Sequence, residues 1–436
     1  MRPLAIRSGK ESCPVRVISC APIGPVYPLL HMRILYISNE YPPETGFGGI
    51  GTYTRNAAAG MASLGHDVHV ICRSDSGEGR RYVDGAVTVH RAGAGTYPLP
   101  EGRLWYPVRS ACRALLPETL IRLAWAKQAY ATLRALHKVG ERFDIIEFPE
   151  CGAEGYYVAK YARALAVVRL HTPWKTVAAL DAIRQRPLDG VLMSCTERAT
   201  ARAARAVTSP TLSLASLVRK QWGISDIAVY PNPIPVSEYA LSVGNEWIYI
   251  GRVERRKGVH ILLSAYANLC KSIDPPRLRI VGRPFGPWED GREYGDYIDG
   301  LMRKSQISRK VEWIRGTDHD SVKDLLRRSS VAILPSLWEN FSYSCLEAMA
   351  SGCAVVASRC GGFEEIIRDG ENGVLFPAGN IEALTQALYR LYKQEDIRRR
   401  IGCTARAYVT RYCDTPVVSR QIEACYMHLL GGNPNG

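Results

Sequence analysis

The run LPSLWENFSYSCLEAMASG, residues 334–352, follows a short apolar stretch and carries two acids, Glu339 and Glu347. Val331 to Leu334 reads as a strand, the residues after it as a turn, and Cys345 to Ala350 as a helix-forming segment. Glu339 then lies in the loop and Glu347 in the first helical turns. Both face the crevice at the carboxyl end of a parallel strand, where open α/β sheets bind their ligands. The backbone N–H groups of Phe341, Ser342 and Tyr343 open that helix and suit an anion. Carboxylates for sugar hydroxyls beside a positive helix end for phosphate point to a nucleotide-sugar. Isolated acids are ordinarily solvated surface groups, but these two flank a turn dense in apolar and aromatic residues.

Outward from this run the chain alternates strand and helix, the pattern of βαβ units and a parallel sheet. Strands are expected at Trp247 to Ile250, Leu278 to Val281, Val311 to Trp313 and Ala354 to Ala357. Helices are expected at Val259 to Cys270, Tyr294 to Ser305 and Ser321 to Arg328. Tyr230-Pro231-Asn232-Pro233-Ile234-Pro235 is a stiff connector, because each proline fixes φ and removes a donor. Ahead of it lies a second alternating series. Its strands are Arg33 to Ser38, Asp67 to Cys72, Val87 to Arg91 (read as an edge), Phe143 to Phe148 and Ala166 to Leu170. Its helices are Gly51 to Leu64, Leu212 to Trp222, and Ala199 to Ser209 running into a strand that ends at Ser209-Pro210. Asp414 to Leu430 is a final helix. The architecture this supports is two Rossmann-like units facing each other across a cleft.

The expected organisation is a first domain over 32–230, a linker over 231–242, a second domain over 243–412 and a C-terminal helix and tail over 413–436. Residues 1–31 are basic at Arg2, Arg7, Lys10 and Arg16 and broken by Pro22, Pro25 and Pro28. They are expected to be a disordered extension or a misassigned start, with the fold opening at Met32.

The 436 residues, 46% apolar, suffice for two or three domains with real cores. No run of 18 uncharged apolar residues marks a membrane span. Thirteen cysteines without a CxxC pair argue against a zinc site or a disulfide framework and fit a reducing cytosol. A net charge of +14 calls for an anionic partner. No nucleic-acid motif accompanies that charge, so phosphate or lipid is expected rather than nucleic acid. Residues 98–142 interleave aromatic and basic side chains. Within them Leu115 to Leu136 reads either as an amphipathic membrane-surface or acceptor element or as a surface helix with its apolar side to the core.

Three further groups bear on the chemistry. Gly46-Phe47-Gly48-Gly49-Ile50-Gly51 spells GxGxxG, but Asn39 to Thr45 separates it from the strand and no acid ends the second strand. It is therefore read as a loop that approaches a donor closely, not as a dinucleotide fingerprint. Gly251-Arg252 ends a strand and Lys257-Gly258 precedes a helix, placing a planar fork and a point charge where a diphosphate departs. His171-Thr172-Pro173 ends a strand and can turn a histidine into the crevice.

In this order, Gly48-Gly49, His171-Thr172-Pro173, Pro231-Asn232, Gly251-Arg252, Lys257-Gly258, Pro335-Ser336, Glu339, Glu347, Gly361-Gly362 and Asn372-Gly373 resemble the retaining GT-B glycosyltransferases of family 4 (group 1), over roughly Met32 to Tyr412. The resemblance implies the GT-B fold, with the last helix crossing back to the first domain. It also implies a metal-independent, configuration-retaining hexosyltransferase that uses a nucleotide-diphosphate sugar as co-substrate and no other cofactor. By that resemblance Arg252 and Lys257 hold the diphosphate, and Glu347 accepts from the ribose diol. Glu339 contacts the transferred sugar, and Phe341, Ser342 and Tyr343 lend backbone N–H groups. Gly48 and Gly49 border the diphosphate, Gly251 lets the loop turn, and His171 meets the donor sugar near the reacting centre. The partners expected are a glycan or lipid-linked acceptor, as in polysaccharide biosynthesis, and an anionic membrane touched peripherally from the cytoplasmic side. Departures are Pro233 after Pro231-Asn232, Cys353 where proline is common, and Phe363 after Gly361-Gly362. The rival readings are a non-catalytic nucleotide-sugar or lipid-binding protein and another GT-B enzyme such as a sugar-nucleotide epimerase.

Overall fold

A computed structural model describes residues 31–45, 48–93, 95, 105–180 and 186–431. The expectation for the N-terminal extension therefore falls on residues outside those described. The first sheet contains β1 (Arg33–Ser38), β2 (Asp67–Arg73), β3 (Arg80–Asp84), β4 (Val87–Ala92), β5 (Ile145–Pro149), β6 (Leu165–Arg169), β7 (Ala206–Ser209) and β8 (Ala228–Val229). Their order is β3-β4-β2-β1-β5-β6-β7-β8, parallel throughout except for the β3–β4 hairpin. The second sheet contains β9 (Glu246–Ile250), β10 (Leu278–Val281), β11 (Val311–Ile314), β12 (Ser329–Leu334), β13 (Ala354–Arg359) and β14 (Val374–Pro377). It is all parallel, in the order β11-β10-β9-β12-β13-β14.

With the flanking β3 and β8 set aside, both sheets wind identically. The strand order reverses between β1 and β5 in one and between β9 and β12 in the other. At such a reversal the loops leaving neighbouring strands diverge and leave a crevice outside the sheet. The loops after β1, β5, β9 and β12 all open on one cavity.

Two local expectations are corrected. Val87 to Arg91 is not an edge, because β3 covers it as an antiparallel partner, with Gly85 at φ 63° in the turn. Asp84-Gly85 was the hairpin signal. The helix expected over Ala199 to Ser209 is instead Pro187–Ala203, and the chain is already extended in β7 by Ala206. Within the aromatic-basic segment the long helix starts at Pro117 and ends at Lys138. It buries Leu120, Ala124, Trp125, Ala129 and Leu133, which makes it a core-facing helix. The shorter helix Tyr106–Leu115 before it buries no residue.

The final helix, Thr415–Leu429, does cross back. It lies on the helix Gly49–Ser63 so closely that a Cβ on Gly60 would sit 2.0 Å from the Ser419 hydroxyl. Tyr426 there donates to Glu147 of β5 at 2.8 Å, and His66 meets Glu423 at 3.0 Å. The connector is pinned to this crossing: the Ile234 amide donates to the Cys413 carbonyl at 2.9 Å, and the Thr415 amide returns to Ile234 at 2.9 Å. Asn232 accepts from the buried guanidinium of Arg169 at 2.8 Å. The unusual Pro233 keeps a role, since its carbonyl accepts from Asn56 at 2.9 Å and from the Tyr343 hydroxyl at 3.2 Å. Cys353 and Phe363 are both fully buried, so these two departures are core substitutions.

Candidate active site

The cavity at the two reversal points has a volume of about 860 Å³ and is walled by both domains. Gly48, Gly49, His171, Gly251, Arg252, Lys257, Glu339, Phe341, Ser342, Tyr343 and Glu347 all line it. Residues separated by as many as 299 positions of sequence (48 to 347) thus share one wall system.

Glu339 sits in the loop after β12, and its carboxylate forms an ion pair with Lys257 from the loop after β9. Burial alone would push this carboxyl up, but Lys257 and then Arg256 outweigh it and hold it below the usual glutamate range. Glu339 is therefore ionised at neutral pH. Arg256 was not singled out in the sequence, where it sits within the charge run Glu254-Arg255-Arg256-Lys257. Its side chain is buried, donating to Glu254 at 2.6 Å and to the Trp338 carbonyl at 3.4 Å. Arg252 is half-exposed over the Phe285 ring at 5.1 Å and pairs with Glu254 at 3.3 Å. One carboxylate, Glu254, thus orients two of the three cations.

The backbone of the loop carrying Glu339 is also fixed by close backbone contacts. Gly362 donates to the Glu339 carbonyl at 3.0 Å, and a Cβ on Gly362 would lie 1.3 Å from the Asn340 carbonyl. Gly258, at φ 71°, is pressed against the Pro335 carbonyl, where a Cβ would lie 2.0 Å away. These two contacts explain the glycines on physical grounds: any side chain would drive the loop off the cavity.

Glu347 occupies the first turns of the helix Tyr343–Ala350, whose start is capped by the Ser342 hydroxyl accepting from the Cys345 amide at 3.3 Å. The amides of Phe341 to Ser344 find no acceptor among the described residues, and all four residues border the cavity. Burial pushes the Glu347 carboxyl up to about 7, opposed by the Tyr239 hydroxyl 3.4 Å away and by Lys323. Tyr239 and His319, which touch at 3.2 Å, complete that corner, and neither was legible as a partner in the sequence.

His171 follows β6. Its amide donates to both oxygens of the buried Glu150, at 2.9 and 2.8 Å. Its carbonyl accepts from the Asn340 side chain, which in turn accepts from Thr211 at 2.9 Å. Asn340 therefore locks the acid-bearing loop of one domain to the histidine-bearing loop of the other. Burial, with Arg169 beneath, lowers the imidazole to about 3, so His171 is neutral and offers the cavity a hydrogen bond rather than a charge. Glu339 and Glu347, the two acids expected from the sequence, are not alone there. Glu40 and Glu154 also reach the cavity from the first domain.

A cleft between two identically wound α/β domains, with cations and an ionised acid at its floor, defines a GT-B glycosyltransferase. The family description "Glycosyl transferases group 1" matches residues 242–408, and "Glycosyl transferase 4-like domain" matches residues 48–233. The chain belongs to the group 1 glycosyltransferases. It is 26% identical to a glycogen synthase of Mycobacterium tuberculosis (H37Rv), covering 91% of this chain and 94% of that protein. It is 29% identical to an MMP alpha-(1->4)-mannosyltransferase of Mycolicibacterium hassiacum, covering 91% and 98%. Among solved structures, sucrose-phosphate synthase from Thermosynechococcus elongatus superposes with a TM-score of 0.75 at 20% identity, over 92% of this chain and 100% of that one. Anabaena Alr3699/HepE in complex with UDP-glucose gives a TM-score of 0.66 at 17% identity, over 91% and 100%.

Proposed function

We propose that the protein moves a hexosyl group from a nucleotide-diphosphate sugar to a glycan or lipid-linked acceptor, retaining the anomeric configuration and using no metal ion. The observation that carries this is the Lys257–Glu339 pair, placed under unpartnered helix-start amides at the shared mouth of both sheets. The neighbour solved with UDP-glucose supports a nucleotide-sugar as donor. In this reading Lys257, Arg252 and the Arg256 behind them meet the negative charge that grows on the departing diphosphate. Preorganised charges facing developing charge are worth more than contacts made equally in the ground state. Glu339 faces the electron-poor anomeric carbon, and the leaving phosphate takes the acceptor proton on the same face. Glu347 accepts from the ribose diol, Gly48 and Gly49 let backbone approach the phosphates, and His171 bonds the sugar. Releasing the diphosphate from a panel of nucleotide-sugars, and reading the product anomer by NMR, tests the whole. An inverted product, or activity abolished by a chelator, overturns retention or metal independence respectively. Failure to bind any nucleotide-sugar overturns the reading.

The raised Glu347 carboxyl gives a pH signature. A ribose diol donates to a carboxylate, so nucleotide binding must strip the proton that Glu347 holds up to about pH 7. Nucleotide affinity is expected to rise between pH 6 and 8 and to flatten in Glu347→Gln, as read by calorimetry. An equal slope in the variant would remove Glu347 from the ribose.

The membrane contact expected of Leu115 to Leu136 does not suit that core-facing helix, and we place it instead on the helix before it, Tyr106–Leu115. It has no buried residue and exposes Tyr106, Val108 and Leu115 by 67%, 46% and 53% beside Arg109 and Arg113. Such a helix lies in a headgroup plane with its apolar side down. No helix among the described residues is long and apolar enough to cross a membrane. Co-flotation with anionic but not neutral vesicles is the expected result, and equal flotation with neither removes the contact.

A further inference from the structure

The first domain brings one cation to the cavity wall, Arg122 of the helix Pro117–Lys138, counted among the described lining residues. Its surroundings differ from those of Lys257, Arg252 and Arg256 below it. Lys257 is paired with Glu339, and Arg252 and Arg256 are paired with Glu254. The Arg122 guanidinium makes no ion pair or hydrogen bond among the described residues, and it lies over the Trp174 ring at 5.5 Å. Its stem crosses Gly152, held at φ 75°, where a Cβ would come within 2.8 Å of the Arg122 Cδ. The bare glycine makes room for it.

Three buried carboxylates lie in the same region, but each is committed elsewhere. Glu150 takes the His171 amide, and Glu197 takes the amides of Gly152 at 2.9 Å and Trp174 at 3.1 Å. Glu154 takes the Asn39 amide at 2.6 Å and the Trp125 indole at 3.0 Å. Glu154 and Glu197, with Glu118, favour the positive charge at a distance without using its donors. What remains is a planar fork with five N–H donors, backed by an aromatic face and open to the cavity. Guanidinium in that setting matches the oxygens of a phosphate or carboxylate in two parallel bonds.

We propose that Arg122 and Trp174 form a subsite for an anionic oxygen group, phosphate or carboxylate, carried by the acceptor, with Trp174 stacking on the ring that bears it. The inference rests on the transferase reading above, because only with the donor on the second domain does this wall face the acceptor. It adds the acceptor's charge, which that reading leaves open. The guanidinium does no chemistry; it sets which acceptor enters and which hydroxyl it presents.

The test uses the full chain with its nucleotide-sugar donor and matched acceptors: a neutral hexose, its phosphate monoester, its methyl phosphodiester and the corresponding uronate. Binding to the donor-product complex and transfer are both measured, in wild type and in Arg122→Gln. One charged member is expected to bind better than the neutral hexose by about 10–100-fold, the range for charge-assisted bonds to a buried anion. Arg122→Gln is expected to erase that preference while leaving acceptor-free donor hydrolysis unchanged. A monoester preference points to a soluble sugar phosphate, and a diester preference to a headgroup-linked acceptor. Equal or absent binding of neutral and charged members in wild type overturns the subsite. So does a preference that survives in a folded Arg122→Gln. If Arg122 only offsets the nearby acids, the variant loses thermal stability without altering the ratio, and the subsite falls. Where Arg122→Gln does not fold, Arg122→Lys serves instead: it keeps the charge but not the planar fork, so it must lose part of the preference, and an undiminished preference overturns the subsite. Donor hydrolysis separates the two failures: intact hydrolysis with no anion preference sinks the subsite alone, and no donor turnover at all sinks both readings.

Discussion

Glu339→Gln is expected to lower turnover by about 10²–10³-fold, the usual cost of losing one preorganised charge facing a transition state, with nucleotide affinity nearly intact. The substitution keeps the shape of the side chain and its 3.5 Å approach to the Ser336 hydroxyl. It removes only charge. That charge is present at neutral pH because Lys257 and Arg256 overcome the effect of burial. Affinity should hold because the group faces the sugar, not the nucleotide, and because Lys257, released from its carboxylate, becomes more available to phosphate. Single-turnover kinetics with a bound donor separate the two effects. Wild-type turnover in the variant would take Glu339 out of the mechanism.

Lys257→Gln is expected to lose a comparable factor in kcat/KM, about 10²-fold or more by the same argument, together with affinity for the diphosphate. The contrast to measure is between nucleoside diphosphate and nucleoside alone. Only the former should weaken. If both weaken equally, Lys257 is acting through the Glu339 loop and not on phosphate. The double variant Lys257→Gln with Glu339→Gln should lose much less than the sum, since the two side chains are bonded to each other.

The second domain was largely legible in the sequence, and the reason lies in how its site is built. Gly258, Gly361 and Gly362 are demanded by carbonyl oxygens of the neighbouring loop, at Pro335, Glu339 and Asn340. Backbone against backbone leaves no latitude in residue type, so the spacing appears in the letters themselves. Glu339 and Glu347 are legible for the same reason, one on the loop and one a helical turn beyond its cap. β14 and the helices Ile381–Lys393 and Glu395–Tyr412 were not assigned. For the first helix Asn380, accepting from Ala383 at 2.9 Å, was a cap that could have been read.

The first domain was harder. Arg122 and Trp174, like Tyr239 of the connector and Asn340 of the second domain, meet their partners only through tertiary packing, and no local pattern records which wall a helix turns toward the cleft. Arg256 was hidden differently. It stands in a run of charges that reads as a solvated face, yet it is the buried member of that run, held under the loop by Glu254 and the Trp338 carbonyl.

The final helix makes the ends of the chain interdependent. A protein stopped at Asp414 would keep every residue of the donor floor, yet it would uncover the carboxyl of Glu147 and the face of Gly60 in the lobe at the opposite end of the sequence. The helix Thr415–Leu429 is thus the lid of a core made well before it. The amino-terminal lobe waits, unsealed, until that helix has emerged.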